Sequence, residues 1–176
     1  NRADLDDLEK SYGAARRTEI SAEEVEGNFD IEELITEEMM VVTFSRAGYV
    51  KRVPLDVYRT QGRGGRGIIG SETKEGDVVA SLVVAGTHDY VLCFSNRGQV
   101  YWLKVYNLPE ASRVSAGRAI SNLIQLEEGE RITNVLRVPE FESDKFILFA
   151  TRRGTVKKTS LEAYSRPKKG GIRAIL

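Results

Sequence analysis

From Met39 onwards the chain alternates short apolar runs with glycine-marked turns, whereas residues 1–38 have a different texture. In residues 2–12, Leu5, Leu8 and Tyr12 recur at helical spacing and Gly13 follows where a helix would stop, which predicts a short amphipathic helix end. Residues 21–38 are rich in glutamate, with Val25, Phe29, Ile31, Leu34 and Ile35 scattered among them. That composition suits a linker with one helical turn.

Beyond Met39 the apolar runs repeat with a period of about 50 residues, a spacing that points to propellers or related arrays. VVTFSRAGYVKRVPLDVY from Val41, VLCFSNRGQVYWLKVYNL from Val91 and ILFATRRGTVKKTSLEAY from Ile147 line up on Gly48, Gly98 and Gly154. Each glycine ends a four-residue turn (Ser45 to Gly48, Ser95 to Gly98, Thr151 to Gly154) and supplies the positive φ that such a hairpin demands. Further on, Arg66-Gly67-Ile68, Arg118-Ala119-Ile120 and Arg173-Ala174-Ile175 align by residue type. Glu75-Gly76-Asp77 and Glu128-Gly129-Glu130 each introduce a further apolar run, Val78 to Val84 and Ile132 to Val138. A hairpin with extra strands cannot bury its own faces, so the copies are expected to stack as blades of an all-β, propeller-like array. The expected divisions are a linker over 21–38, a first blade over 39–88, a second over 89–144 and the start of a third over 145–176. The third copy stops at Leu176, before the strands that follow Ile68 and Ile120, which predicts a longer array.

Composition adds a compartment and a partner class. The single cysteine, Cys93, lies inside an apolar run, which excludes an internal disulfide framework and fits packing in a reducing cytosol. No apolar stretch approaches the roughly 20 residues of a membrane helix, so a cytoplasmic chain without membrane contact is expected. The zero net charge conceals sorting: residues 1–38 hold thirteen acids against four bases, while residues 145–176 hold nine bases against Glu162 alone. A basic body behind an acidic leader points to a polyanion partner.

Gln61-Gly62-Arg63-Gly64-Gly65-Arg66-Gly67 is the stretch most charged with chemistry. Gly62 to Gly67 satisfies G-x-G-x-x-G, but no helical pattern follows, so the dinucleotide reading fails. A plain tight connection between blades is the bland reading. The physical alternative is a loop whose glycines bring main-chain N–H groups to a phosphate while Arg63 and Arg66 offer guanidinium forks. Ser115-Ala116-Gly117-Arg118 and Lys168-Lys169-Gly170-Gly171-Ile172-Arg173 are the corresponding basic stretches in later copies, and a curved row of such sites would track a bent duplex. Arg46, Arg97, Arg152 and Arg153 at turn tips, with Lys51, Arg52, Arg59, Lys104, Lys157 and Lys158, complete a candidate rim. Each of these could equally keep turns and edges soluble. Trp102 and most tyrosines fall on strand positions and read as packing residues, and His88 lacks companions for a zinc site.

Gln61 to Gly67, preceded by Gly48-Tyr49-Val50-Lys51-Arg52 and Tyr58-Arg59, resembles the gyrase-A box in the first blade of the gyrase A C-terminal domain family. Gly62 stands where that box usually carries a base, which removes one charge. Arg16-Arg17-Thr18-Glu19-Ile20 is likewise similar to the exit of the family's breakage-reunion region, so residues 1–20 are assigned to its helical end. The resemblance implies a six-bladed β-pinwheel, about half of it present here, that wraps double-stranded DNA without reading sequence. It also implies gyrase B and a second copy of gyrase A for partners, with ATP and magnesium serving negative supercoiling in the complete enzyme. No catalytic residue, metal or cofactor is expected in this segment. The topoisomerase IV counterpart of gyrase A, which shares the repeat but has a degraded box, and a non-enzymatic protein-binding propeller remain the alternatives.

Overall fold

The computed structural model describes residues 2–14, 31–58 and 76–175. Contacts divide the chain into two units, residues 1–30 and 31–176. In the first, α1 (Arg2–Tyr12) is the expected helix. The second is built of strands and 3₁₀ turns.

Each repeat folds first as a hairpin. β1 (Met39–Ser45) pairs with β2 (Tyr49–Pro54), β4 (Tyr90–Ser95) with β5 (Gln99–Lys104), and β8 (Phe146–Ala150) with β9 (Val156–Ser160), all antiparallel. The turn glycines Gly48, Gly98 and Gly154 have φ of 87°, 74° and 83°, and each N–H closes on the carbonyl three residues back. The later apolar runs supply β3 (Val79–Gly86), which pairs with β1, and β7 (Ile132–Val138), which pairs with β4. Both pairings slip by one residue at the same repeat position, Phe44/Ser45 and Phe94/Ser95.

The fourth strand of each complete sheet comes from the next repeat. β6 (Arg118–Ala119) adds to β2, giving the order β3-β1-β2-β6, and β10 (Ile172–Arg173) adds to β5, giving β10-β5-β4-β7. Neighbouring repeats are therefore stitched by main-chain hydrogen bonds as well as by side chains.

Two apolar clusters lie between successive sheets. Met40, Val42, Phe44 and Val50 of the first sheet face Val91, Cys93, Tyr101 and Leu103 of the second. The other face of the second sheet, through Tyr90, Leu92, Phe94, Val100 and Trp102, meets Ile147, Phe149, Leu161 and Tyr164. β4 and β5 are thus covered on both faces, which is why they read as continuous apolar runs instead of a strict alternation. Cys93 is fully buried, and burial pushes its thiol up to about 12. Trp102 packs here too, its Nε1–H donating to the Tyr164 carbonyl at 2.7 Å. At the outer face of the third hairpin, Phe146, Leu148 and Val156 are exposed.

Candidate nucleic-acid interface

The stretch Gln61 to Gly67, with Arg59, lies outside the described residues. The interface is therefore built from the hairpin tips, the borrowed strands and the segments that lead into them.

The borrowed strands are held in register by glycine. Gly117 (φ +82°) and Gly171 (φ +71°) sit in front of β6 and β10, where a Cβ would lie 2.5 Å from the Val50 carbonyl oxygen and 2.8 Å from that of Val100. Val50 and Val100 are equivalent positions, so Gly117 matches Gly171. Consequently Arg118, which pairs with Val50, matches Ile172, which pairs with Val100. Arg173 matches Ala119. Aligning Arg118 with Arg173 by residue type is therefore off by one, because close backbone approach sets the register and the arginine does not. Both guanidinium-bearing residues are exposed, but at successive positions of a strand, which point to opposite faces. They do not form one row of equivalent sites.

Other candidate bases fall into two groups. Arg46, Arg152 and Arg153 at turn tips, Lys158 on β9, and Lys168 and Lys169 in the lead to β10 are exposed. Lys158 Nζ lies 4.0 Å from the centre of the Phe146 ring. Lys157 is exposed as well, though its Nζ donates to the Ala174 carbonyl at 2.7 Å.

Lys51, Arg52 and Lys104, expected on the rim, are internal or paired. Lys51 is only 2% exposed, and its ammonium donates to the carbonyls of Ser112 (3.3 Å), Arg113 (2.6 Å) and Ser115 (2.5 Å). Its stem occupies the same face of β2 as buried Val53, so the sheet carries it inward. Arg52 has a side chain 16% exposed that reaches Glu110 at 3.2 Å. The Lys104 side chain, 15% exposed, pairs with Glu32 at 2.6 Å, donates to the His88 carbonyl at 2.9 Å and lies 4.1 Å from the Tyr90 ring centre. Arg97, though exposed, pairs with Glu127 and donates to the Glu128 carbonyl.

Glu32 belongs to a segment that grips the second sheet. The Thr87 N–H donates to the Glu38 carbonyl at 2.9 Å, the Thr87 hydroxyl donates to the Thr36 carbonyl at 2.9 Å, and His88 Nε2 donates to the Ile35 carbonyl at 2.9 Å. Residues 31–38 are thus tied to the loop between β3 and β4.

Acids brace the turn tips from behind. Asp77 Oδ1 accepts from the N–H groups of Ala47 (2.9 Å) and Val78 (2.8 Å), and the Ser45 hydroxyl foremost holds its carboxyl below the usual range. Glu130 is the second copy of that acid: it accepts from the Tyr101 hydroxyl at 3.0 Å and from the Glu127 N–H at 3.0 Å. Burial opposes its ionisation, but hydrogen bonds from Ser95, Glu127 and Tyr101 outweigh it and keep the carboxyl low. Sequence reasoning missed Arg113, whose guanidinium lies 6.0 Å from the centre of the Tyr58 ring. Only the folded connection between the second hairpin and β6 brings the two together. Among the described residues no cluster of His, Cys, Asp and Glu could hold a metal ion, and no helix is long and apolar enough to cross a membrane.

The repeat is shared with known proteins. The profile of the DNA gyrase C-terminal domain, beta-propeller, matches residues 40–85, 89–139 and 145–175. The gyrase A protein of Aeromonas salmonicida is 58% identical over 168 residues, 96% of this chain and 18% of that protein. The chain spans about a fifth of the length of the curated relatives it matches. Among solved structures, the C-terminal domain of DNA topoisomerase IV superposes with a TM-score of 0.64 at 29% identity, covering 77% of this chain and 41% of that one. The DNA gyrase A C-terminal domain superposes with a TM-score of 0.63 at 26% identity, covering 79% and 44%. Three glycine-registered repeats and a profile that spans most of their length have one conclusion: the chain belongs to the DNA gyrase C-terminal domain family of beta-propellers.

Proposed function

We propose that this chain holds duplex DNA, bending it along a basic edge without reading its sequence. The observation that carries the reading is the exposure of Arg118, Arg173, Lys168 and Lys169 on or beside the borrowed strands, with Arg152 and Arg153 at a neighbouring tip. Arginine forks and glycine-bared main chain suit phosphate oxygens, and phosphate contacts position a duplex while carrying no sequence information. Bending energy is recovered through the additional contacts that a curved path allows.

Within an intact enzyme such a segment would serve gyrase A, partnered by gyrase B and by a second copy of gyrase A. There it would present a neighbouring stretch of the same DNA for strand passage driven by ATP with magnesium, giving negative supercoils. Gln61 to Gly67 is the part of the sequence that favours this over the topoisomerase IV counterpart, to which the fold is equally similar. The test is a supercoiling assay on the complete protein, comparing wild type with Arg63→Ala plus Arg66→Ala. Loss of supercoiling with relaxation retained is expected; unchanged supercoiling would remove the stretch from the mechanism.

A further inference from the structure

The second turn tip is locked onto the acidic turn that leads into β7. Asn96 makes the lock: its N–H donates to the Arg131 carbonyl at 3.0 Å, its Oδ1 accepts from the Arg131 N–H at 3.0 Å, and its Nδ2 donates to the Gly129 carbonyl at 3.4 Å. The turn is also closed from within, since buried Glu130 accepts from the Glu127 N–H at 3.0 Å and from the Tyr101 hydroxyl at 3.0 Å. The backbone of Glu127 and Glu128 is thus fixed beside the tip by bonds that involve neither of their side chains.

Arg97 reaches this turn with both ends of its fork. One terminal nitrogen donates to the Glu127 carboxylate and the other to the Glu128 carbonyl. These are the donors that a guanidinium offers to two phosphate oxygens. The pair lies at the surface, with 45% of the Arg97 side chain and 70% of the Glu127 side chain exposed. A phosphate that takes the fork must therefore displace Glu127 and lie beside its charge. In the first copy the same two positions hold Ala47 and Lys74. At the third tip Arg152 and Arg153 are exposed and, among the described residues, pair with no acid. A fork filled by an acid sets the second tip apart from both.

We propose that Glu127 stands in for a phosphate at the second tip, so that a duplex held by the exposed bases elsewhere passes this tip without an Arg97 contact. The fold does not need the carboxylate: an exposed ion pair contributes little, and the bond that shapes the turn uses the Glu127 main chain. Its consequence is electrostatic, and removing it opens a contact that the wild-type chain withholds. This inference rests on the DNA-holding reading above.

The test uses the full-length chain and a random-sequence duplex, with affinity measured across a series of salt concentrations. Glu127→Gln should raise affinity severalfold at fixed salt and steepen the log-log salt slope by about 0.9, the value of one added phosphate contact. Glu128→Gln removes the same charge from the neighbouring side chain while leaving the Glu128 carbonyl on Arg97, so it should give a smaller gain and no change of slope. In an Arg97→Ala background, Glu127→Gln should do no more than Glu128→Gln does. Unchanged affinity and slope in Glu127→Gln would overturn the proposal. Equal effects of the two glutamate substitutions would also overturn it, since they would trace the gain to net charge and not to the Arg97 fork. So would a wild-type slope that falls by about 0.9 on Arg97→Ala, which would put Arg97 on the duplex already. A wild type that binds no duplex at low salt sinks the DNA-holding reading first.

Discussion

The Tyr101 hydroxyl donates to Glu130 Oε2 at 3.0 Å, joining the second hairpin to the acidic turn that precedes β7. The tyrosine is pushed up to about 12, chiefly by burial and then by this hydrogen bond to the carboxylate. Tyr101→Phe removes one donor from a buried carboxylate and should cost about 1–3 kcal/mol in urea unfolding. A change under a few tenths would mean that solvent replaces the bond.

The same acid predicts a pH response. Glu130 is held below its unfolded-state pKa, so its contribution to stability is complete above that unfolded value and is lost as pH falls through the lower folded one. Unfolding midpoints measured from pH 6 down to pH 3 should fall more steeply for wild type than for Glu130→Gln. Parallel curves would show that other carboxylates carry the acid limb.

Glycine register can be tested by insertion of a single methyl group. Gly117→Ala and Gly171→Ala each combine a left-handed backbone with a Cβ driven against a main-chain oxygen, whereas Gly129→Ala (φ +73°) has open space around its Cβ. The last should cost about 1 kcal/mol from backbone conformation alone. The first two should cost clearly more in the same urea titration, and equal losses at all three would refute the register argument.

Salt dependence separates exposed bases from paired ones. Arg118→Ala and Arg173→Ala should each lower the slope of duplex binding by about 0.9. Lys104→Met should leave the slope unchanged while leaving Glu32 and the His88 carbonyl without their donor, at a cost of about 1–3 kcal/mol. Equal slopes for all three variants would mean that exposure does not select the contacts.

Cys93 offers a probe of cooperativity. Fully buried, with its thiol held protonated, it should react with a thiol reagent only as fast as the second sheet opens. Rapid labelling in native buffer would show that the cluster between the first two sheets breathes.

The hairpins were legible because a four-residue turn ending in glycine is a local signal, carried by Ser45 to Gly48 and its two copies. The borrowed strands were not. They are two residues long, and their register depends on Gly117 meeting Val50, a position 67 residues earlier in the chain. Matching letters instead paired Arg118 with Arg173, one position away from the structural match. Lys51 was misread for a different reason: a cation on an alternating strand is expected in water, and nothing local announces the three carbonyls that arrive from beyond residue 111. Lys104 needed Glu32, from 72 residues away.

Because β6 completes the sheet of the preceding hairpin, the unit of duplication and the unit of folding are out of phase. A gene that gains or loses one copy must leave every remaining copy able to lend a strand backwards and receive one from ahead. Tension applied to one hairpin is likewise carried into its neighbour through main-chain hydrogen bonds, so the array resists being pulled apart one repeat at a time.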